Sequence, residues 1–287
     1  MGGGFYSSMA YSAMSDSRGY KTASASQIFT SRRMDPQMDP KEANIRESRD
    51  GPDHPESVAI IVALDVTGSM GDIPMRLIRE DFPKMMDAII QRVKDPQILF
   101  MGIGDYSCDA APLQVGQFES STEMLTKWLT TTWLEGGGGG NSWESYSMAW
   151  LFASRHTAID CLEKRGQKGI LITIGDEPLN PEIPGEIISR YTTESQASRI
   201  SSEDLYKEVC NKYHTFHINV EHGRFRDDVV GSWRQVVGQN IVTVQGAEGV
   251  APKIAELVLD NVKHSFGTLA SAPGTANHKP DDEEMML

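Results

Sequence analysis

Residues 58–72 read VAIIVALDVTGSMGD. The apolar run from Val58 to Leu64 suits a strand covered on both faces, as the inner strands of a parallel sheet are. Asp65 ends the run, and Thr67, Gly68, Ser69 and Gly71 follow it. An acid at the end of a buried strand stands where open α/β sheets bind their ligands.

The same texture extends outward from this stretch. Short apolar runs predict strands at 58–64, 98–103, 113–118, 169–174, 214–220 and 241–244, and longer amphipathic stretches predict helices near 73–94, 122–133, 144–163, 202–212 and 251–264. The first helix must break or bend at Pro83, which has no backbone N–H to give. Strand and helix in alternation require crossover connections, hence a doubly wound, mostly parallel sheet flanked by helices, Rossmann-like in layout. One α/β domain over residues 55–266 accounts for the pattern.

The flanks differ. Residues 1–54 hold Gly, Ser, Met and Tyr, then charge and proline without a sustained period. Such composition buries little apolar area against its ordering entropy and predicts a flexible N-terminal arm. Phe5, Tyr6, Tyr11 and Tyr20 are candidate partner anchors within it. Residues 267–287 read as a C-terminal tail with the acidic run Asp281-Asp282-Glu283-Glu284.

Composition narrows the function classes. The chain has 27 basic and 40 acidic residues and a net charge of −13. Nucleic-acid affinity rests on clustered Lys and Arg, and no such cluster occurs, so a cation or a basic partner fits better. Cys108, Cys161 and Cys210 are odd in number and widely spaced, which indicates neither a disulfide framework nor a zinc site. No run reaches the roughly 18 apolar residues of a membrane span, and the first residues lack the blocks of a signal peptide. The expectation is a cytoplasmic protein that binds neither membrane nor nucleic acid.

Four strand ends converge in this scheme: Asp65-Val66-Thr67-Gly68-Ser69, Gly104-Asp105, the glycine run ending in Asn141-Ser142-Trp143-Glu144, and Gly175-Asp176-Glu177. They offer oxygen and almost no nitrogen or sulfur, which is the ligand set of a hard divalent cation. Asp65, Thr67 and Ser69, at alternate positions of a tight loop, can turn three side chains toward one point.

The motif LDVTGSMG resembles the first loop of a metal-ion-dependent adhesion site (MIDAS) in a von Willebrand factor A (VWA) domain, Asp-x-Ser-x-Ser, with Thr67 in place of the first serine. The resemblance covers residues 55–266. It implies that Asp176, in ILITIGDEP, is the acid of the third loop. The second loop, LEGGGGGNSWESYSMAW, has no threonine after its glycines, so its ligand comes from Asn141, Ser142 or Glu144. Glu144 is favoured and Asn141 is next, while Asp105 stands further out. The resemblance therefore implies Mg2+ (or Mn2+) held by Asp65, Thr67, Ser69, Glu144 and Asp176, with one exchangeable position that takes a carboxylate from a protein partner. It further implies a non-enzymatic adaptor or co-chaperone for a separate AAA+ ATPase of the MoxR type.

Other readings are weighed on the letters. A haloacid-dehalogenase-type phosphatase needs Asp-x-Asp, and the second position is Thr67. An aspartic protease needs contiguous Asp-Thr-Gly, which Val66 interrupts. The glycines at 136–140 lack the Lys-Ser or Lys-Thr of a phosphate-binding loop. A metal-dependent hydrolase with Glu144 or Asp105 as base is one alternative. A homo-oligomer in which the acidic tail of one copy ligates the metal of the next is the other. His214 and His217, three apart on one strand, face opposite sides and read as core or surface residues. Arg76 and Arg79 read as solvated.

Overall fold

Val58, Ile60, Val62 and Leu64 enter one apolar cluster, Ala59, Ile61 and Ala63 enter another, and both sets are buried. Residues 58–64 thus behave as an inner strand, each face of which packs under its own layer of helices. The computed structural model of the chain describes residues 4–136, 143–221 and 226–265.

One sheet is formed by β1 (Ser57–Asp65), β2 (Asp95–Ile103), β3 (Leu113–Val115), β4 (Gly169–Gly175), β5 (Tyr213–Glu221) and β6 (Ile241–Gln245). Its order is β6-β5-β4-β1-β2-β3, parallel throughout except for the edge strand β3. In chain numbering that is 3-2-1-4-5-6, a doubly wound order whose direction reverses between β1 and β4. Ile60 stands opposite Ile98 on β2 and Ile170 on β4, so the central three strands share one apolar register.

The principal helices are α1 (Ser8–Arg18), α2 (Phe82–Ile90), α3 (Thr122–Thr131), α4 (Tyr146–Arg155), α5 (Ser202–Val209), α6 (Asp227–Val237) and α7 (Val250–Ser265). On one face, Tyr11 of α1, Phe82 and Met86 of α2, Leu125 of α3 and Ile254 of α7 meet Ile60 and Val62. On the other, Trp150 of α4, Leu205 of α5 and Trp233 of α6 meet Ile61 and Leu171.

The stretch after β1 changes its helix type just before Pro83. A helical turn at Ile73–Arg76 passes into a π-helical turn at Leu77–Asp81 and then into α2. The Phe82 N–H bonds to the Leu77 carbonyl, five residues back. The carbonyl of Ile78, whose own fifth neighbour is Pro83, is left without a donor from the helix. The Tyr11 hydroxyl donates to it instead.

That bond corrects the expectation of a flexible arm over residues 1–54. From residue 4 onward the segment is folded against the sheet's helical layer: Tyr6, Tyr11, Tyr20, Ile28 and Phe29 are buried in the cluster that holds Phe82. The Tyr11 and Phe82 rings lie 5.3 Å apart. Ser7 N donates to Thr122 Oγ1 at 2.8 Å, and Arg79 donates to the carbonyls of Tyr20 and Ala23 at 3.3 and 2.5 Å. Arg79 is therefore a clasp, and Arg76 is paired with Asp81 at 2.7 Å; neither is merely solvated. A few aromatic side chains, each large, supply the burial that the polar composition concealed. The tail expected at 267–287 lies outside the described residues.

Two further differences concern helices. The stretch 144–163 divides: α4 ends at Arg155, Thr157–Ile159 pairs in parallel with Arg46–Ser48, and a second helix runs over Asp160–Arg165. Helix α6 lies outside the helices the sequence predicts, because Gly231 and four valines lower its propensity; its Val229, Trp233 and Val237 stripe is nevertheless buried.

Candidate metal centre

Asp65 is the last residue of β1 and is fully buried. Its Oδ1 accepts from the Thr67 N–H at 2.9 Å and from the Thr67 hydroxyl at 2.6 Å. Its Oδ2 accepts from the Tyr146 hydroxyl at 2.7 Å. Thr67 Oγ1 lies 3.2 Å from Ser69 Oγ, which donates to Asp176 Oδ1 at 2.8 Å. The four side chains form one hydrogen-bonded row, from the floor of the crevice at Asp65 to the exposed Ser69. Asp176 follows β4, so the row bridges the two strand ends at which the sheet order reverses.

The middle loop supplies Glu144. It precedes the first residue of α4 by two positions and forms an isolated parallel bridge with Leu179, beside the third loop. Glu144 is buried, with a relative exposure of 7%, and its Oε2 has no hydrogen-bond partner. Asn141 and Ser142 lie outside the described residues. Asp105 is turned into its own loop: it accepts from the N–H and hydroxyl of Ser107 at 2.8 and 2.6 Å. That loop is stitched to the segment after Glu144, since Ser145 N donates to the Gly104 carbonyl at 3.0 Å and Tyr106 N to Ser145 Oγ at 2.7 Å.

Burial pushes Asp65 up to about 7, against the pull of the Thr67 and Tyr146 hydrogen bonds. Glu144 is pushed up to about 9 by burial and then by the carboxylates of Asp65, Asp105, Asp109 and Glu177. Burial and neighbouring acids thus disfavour the charged form of both carboxyls. An oxygen-only donor set, an unpartnered buried carboxylate oxygen and two suppressed ionisations together fit a hard divalent cation. Among the described residues no three His, Cys, Asp or Glu side chains stand at metal-holding spacing; the row itself combines two acids with two hydroxyls.

Sequence reasoning missed the groups that hold the row. Tyr146, at the start of α4, is fully buried and donates to Asp65 while lying 3.4 Å from the Glu177 N–H. Trp233 of α6 donates from Nε1 to the Glu177 carbonyl at 3.1 Å, and Arg226 pairs with the Glu177 carboxylate at 3.0 Å. Gly175 makes room for Tyr146: a Cβ there would stand 1.9 Å from the Tyr146 oxygen. His217 is the core residue expected, stacked on Trp233 at 3.4 Å.

Strand order, antiparallel edge strand and an Asp-x-Thr-x-Ser loop at the reversal point are all in place. The fold is VWA-like. No family model matches the chain, and no curated protein matches it in sequence. Solved structures similar to it include the pilus adhesin SpaC from Lactobacillus rhamnosus GG in an open conformation, with 10% identity over 73% of this chain and 30% of that one and a TM-score of 0.49. Proximal thread matrix protein 1 from the mussel byssus, with a zinc-occupied MIDAS motif, matches at 11% identity over 72% of this chain and 48% of that one, TM-score 0.43. A von Willebrand factor type A protein from Catenulispora acidiphila matches at 10% identity over 72% and 43%, TM-score 0.43. The chain thus spans less than half the length of each of these structures.

Proposed function

We propose that the chain is a divalent-metal-dependent protein-binding module and not an enzyme. The observation that carries this is the row from buried Asp65 through Thr67 and Ser69 to Asp176, closed at its floor and open to solvent at Ser69. Asp65, Thr67, Ser69, Glu144 and Asp176 would hold the ion, with Mg2+ or Mn2+ the hard cations that suit such oxygens. When bound, the ion supplies a positive centre to which a partner's carboxylate can attach. The protein's own part is positional. Tyr146 fixes the rotamer of Asp65, the Thr67 backbone N–H holds the other oxygen, and Trp233 with Arg226 steadies the Glu177 loop beside Asp176.

Calorimetry of Mg2+ and Mn2+ binding, run beside Asp65→Ala and Asp176→Ala, tests the site. Binding to the parent chain and its loss in both variants is the expected result; equal heats in all three would remove the reading. The finer assignment, an adaptor for a separate AAA+ ATPase of the MoxR type, comes from the family resemblance. Native-lysate capture with and without EDTA tests it, and a chelator-sensitive partner without an ATPase domain would refute it.

A further inference from the structure

Helices α2 and α7 lie side by side over the sheet face that holds Ile60 and Val62. Between them runs a groove of about 490 Å3, none of whose lining residues belongs to the Asp65 crevice. Met85 and Ala88 of α2 and Ala251, Ala255 and Leu259 of α7 give it an apolar lining. An apolar concavity open to water on a folded surface marks a place where other apolar side chains bind.

Charge and chain length point to the occupant. The acids that line the groove are engaged: Asp81 pairs with Arg76 at 2.7 Å and with Lys84 at 3.2 Å, Glu256 pairs with Lys253 at 2.6 Å, and Asp260 is not without a partner. Arg92 also lines the groove and makes no ion pair among the described residues. An apolar wall beside an uncommitted guanidinium suits a segment in which acids adjoin apolar side chains. The chain holds one, since residues 281–287 read Asp-Asp-Glu-Glu-Met-Met-Leu. They follow α7, which is itself one wall. Residues 266–280 can span up to roughly 50 Å, and α7 is about 24 Å long, so the segment can reach any part of the groove. A tethered segment meets its site at an effective concentration on the order of millimolar, whereas two separate copies at a net charge of −13 each repel.

We propose that residues 281–287 dock within the same chain in the groove between α2 and α7, with Met285, Met286 and Leu287 on the apolar wall and the acids Asp281–Glu284 toward Arg92. This does not depend on the metal-dependent reading above. It gives the acidic run a place on its own chain and so withholds it from the metal of a neighbouring copy.

The test compares the full chain labelled with 15N to a full-length variant carrying Met285→Ser, Met286→Ser and Leu287→Ser, substitutions outside the core described above. Amide resonances of residues 84–92 and 251–260 are expected to differ between the two. A capped peptide, Asp-Asp-Glu-Glu-Met-Met-Leu, is expected to shift those same resonances in the variant and to bind the parent chain at least about tenfold more weakly, because the parent's own segment competes. Arg92→Gln in the variant should weaken the peptide about threefold, the size of an exposed ion pair, and a rise from about 50 to about 500 mM NaCl should erase that difference by screening. Light scattering should give one mass for parent and variant. Identical groove resonances in the two chains, or equal peptide affinity for both, would overturn the proposal. Peptide shifts centred on Asp65 and Asp176 would overturn it in favour of the metal crevice, and a larger mass in the parent alone would overturn it in favour of a second copy.

Discussion

At Asp65 a carboxylate is denied water and given three hydrogen-bond donor contacts, and the balance still raises its pKa to about 7. Between the ordinary carboxylate value and that figure, the folded metal-free protein holds a proton that the unfolded chain releases, so this residue makes stability fall as pH rises. Metal-free wild type is therefore expected to lose melting temperature relative to Asp65→Asn from pH 5 to pH 8, and saturating Mg2+ is expected to abolish that divergence. Parallel melting curves across the range would show that the buried acid carries no such load. His217 contributes the opposite slope, since burial lowers its pKa well below the usual value and its stabilisation is lost as pH falls through 6.5; comparison with Asp65→Asn cancels it. Tyr146 and Gly175 form the second residue-scale prediction. Because a Cβ at position 175 would meet the Tyr146 oxygen at 1.9 Å, Gly175→Ala should cost about 2 kcal/mol or more by overpacking. In a Tyr146→Ala background that penalty should largely vanish, as coupled neighbours are non-additive. Additive losses in urea unfolding would mean the two do not touch.

At the scale of elements, the π-helical turn at Leu77–Asp81 links the Asp65–Ser69 loop to the amino-terminal segment. Pro83 deprives the Ile78 carbonyl of a partner and Tyr11 provides one. Tyr11→Phe keeps the ring against Phe82 and removes only the hydroxyl, so it should cost about 1–3 kcal/mol, the penalty of an unsatisfied buried carbonyl. Amides of residues 77–82 should then exchange faster with deuterium, and Pro83→Ala, by restoring a donor, should absorb most of the Tyr11→Phe cost. Unchanged exchange in Tyr11→Phe would deny the clasp. This pair also shows what a sequence discloses. The break at Pro83 was legible because it follows from one missing N–H. Its form was not, because that depends on Tyr11, which is distant in the chain. Likewise Asp65 and Asp176 were legible as acids ending apolar runs, whereas Tyr146 acts through the packing of α4 on the sheet, for which no local pattern exists. Glu144 was legible as a carboxylate in the loop before α4, and its unpartnered oxygen was not.

At the scale of the whole molecule, residues 4–54 and the Asp65 crevice belong to one folded body, and the composition of the amino-terminal segment misrepresented its part in it. Tyr6, Tyr11 and Tyr20 are each less than 8% exposed and share a cluster with Phe82, Phe100 and Leu125. A flexible arm could be deleted without effect on the remainder. A segment that buries three tyrosines cannot, since each removes on the order of 2 kcal/mol of apolar burial from the folded state and opens the face of α2 to water. Removal of residues 1–23 should therefore lower the urea midpoint substantially. It should also lower the slope m, because less surface is then exposed on unfolding. The two readouts separate the possibilities: a lower midpoint with unchanged m would indicate lost local bonds such as the Tyr11 clasp alone, and no change in either would restore the arm to the role its composition suggests. Adding Mg2+ to the truncated chain completes the argument. If the clasp positions the turn after the metal loop, truncation should weaken Mg2+ binding as well as the fold, and a truncated chain that binds Mg2+ at full strength would confine the segment to the helical layer.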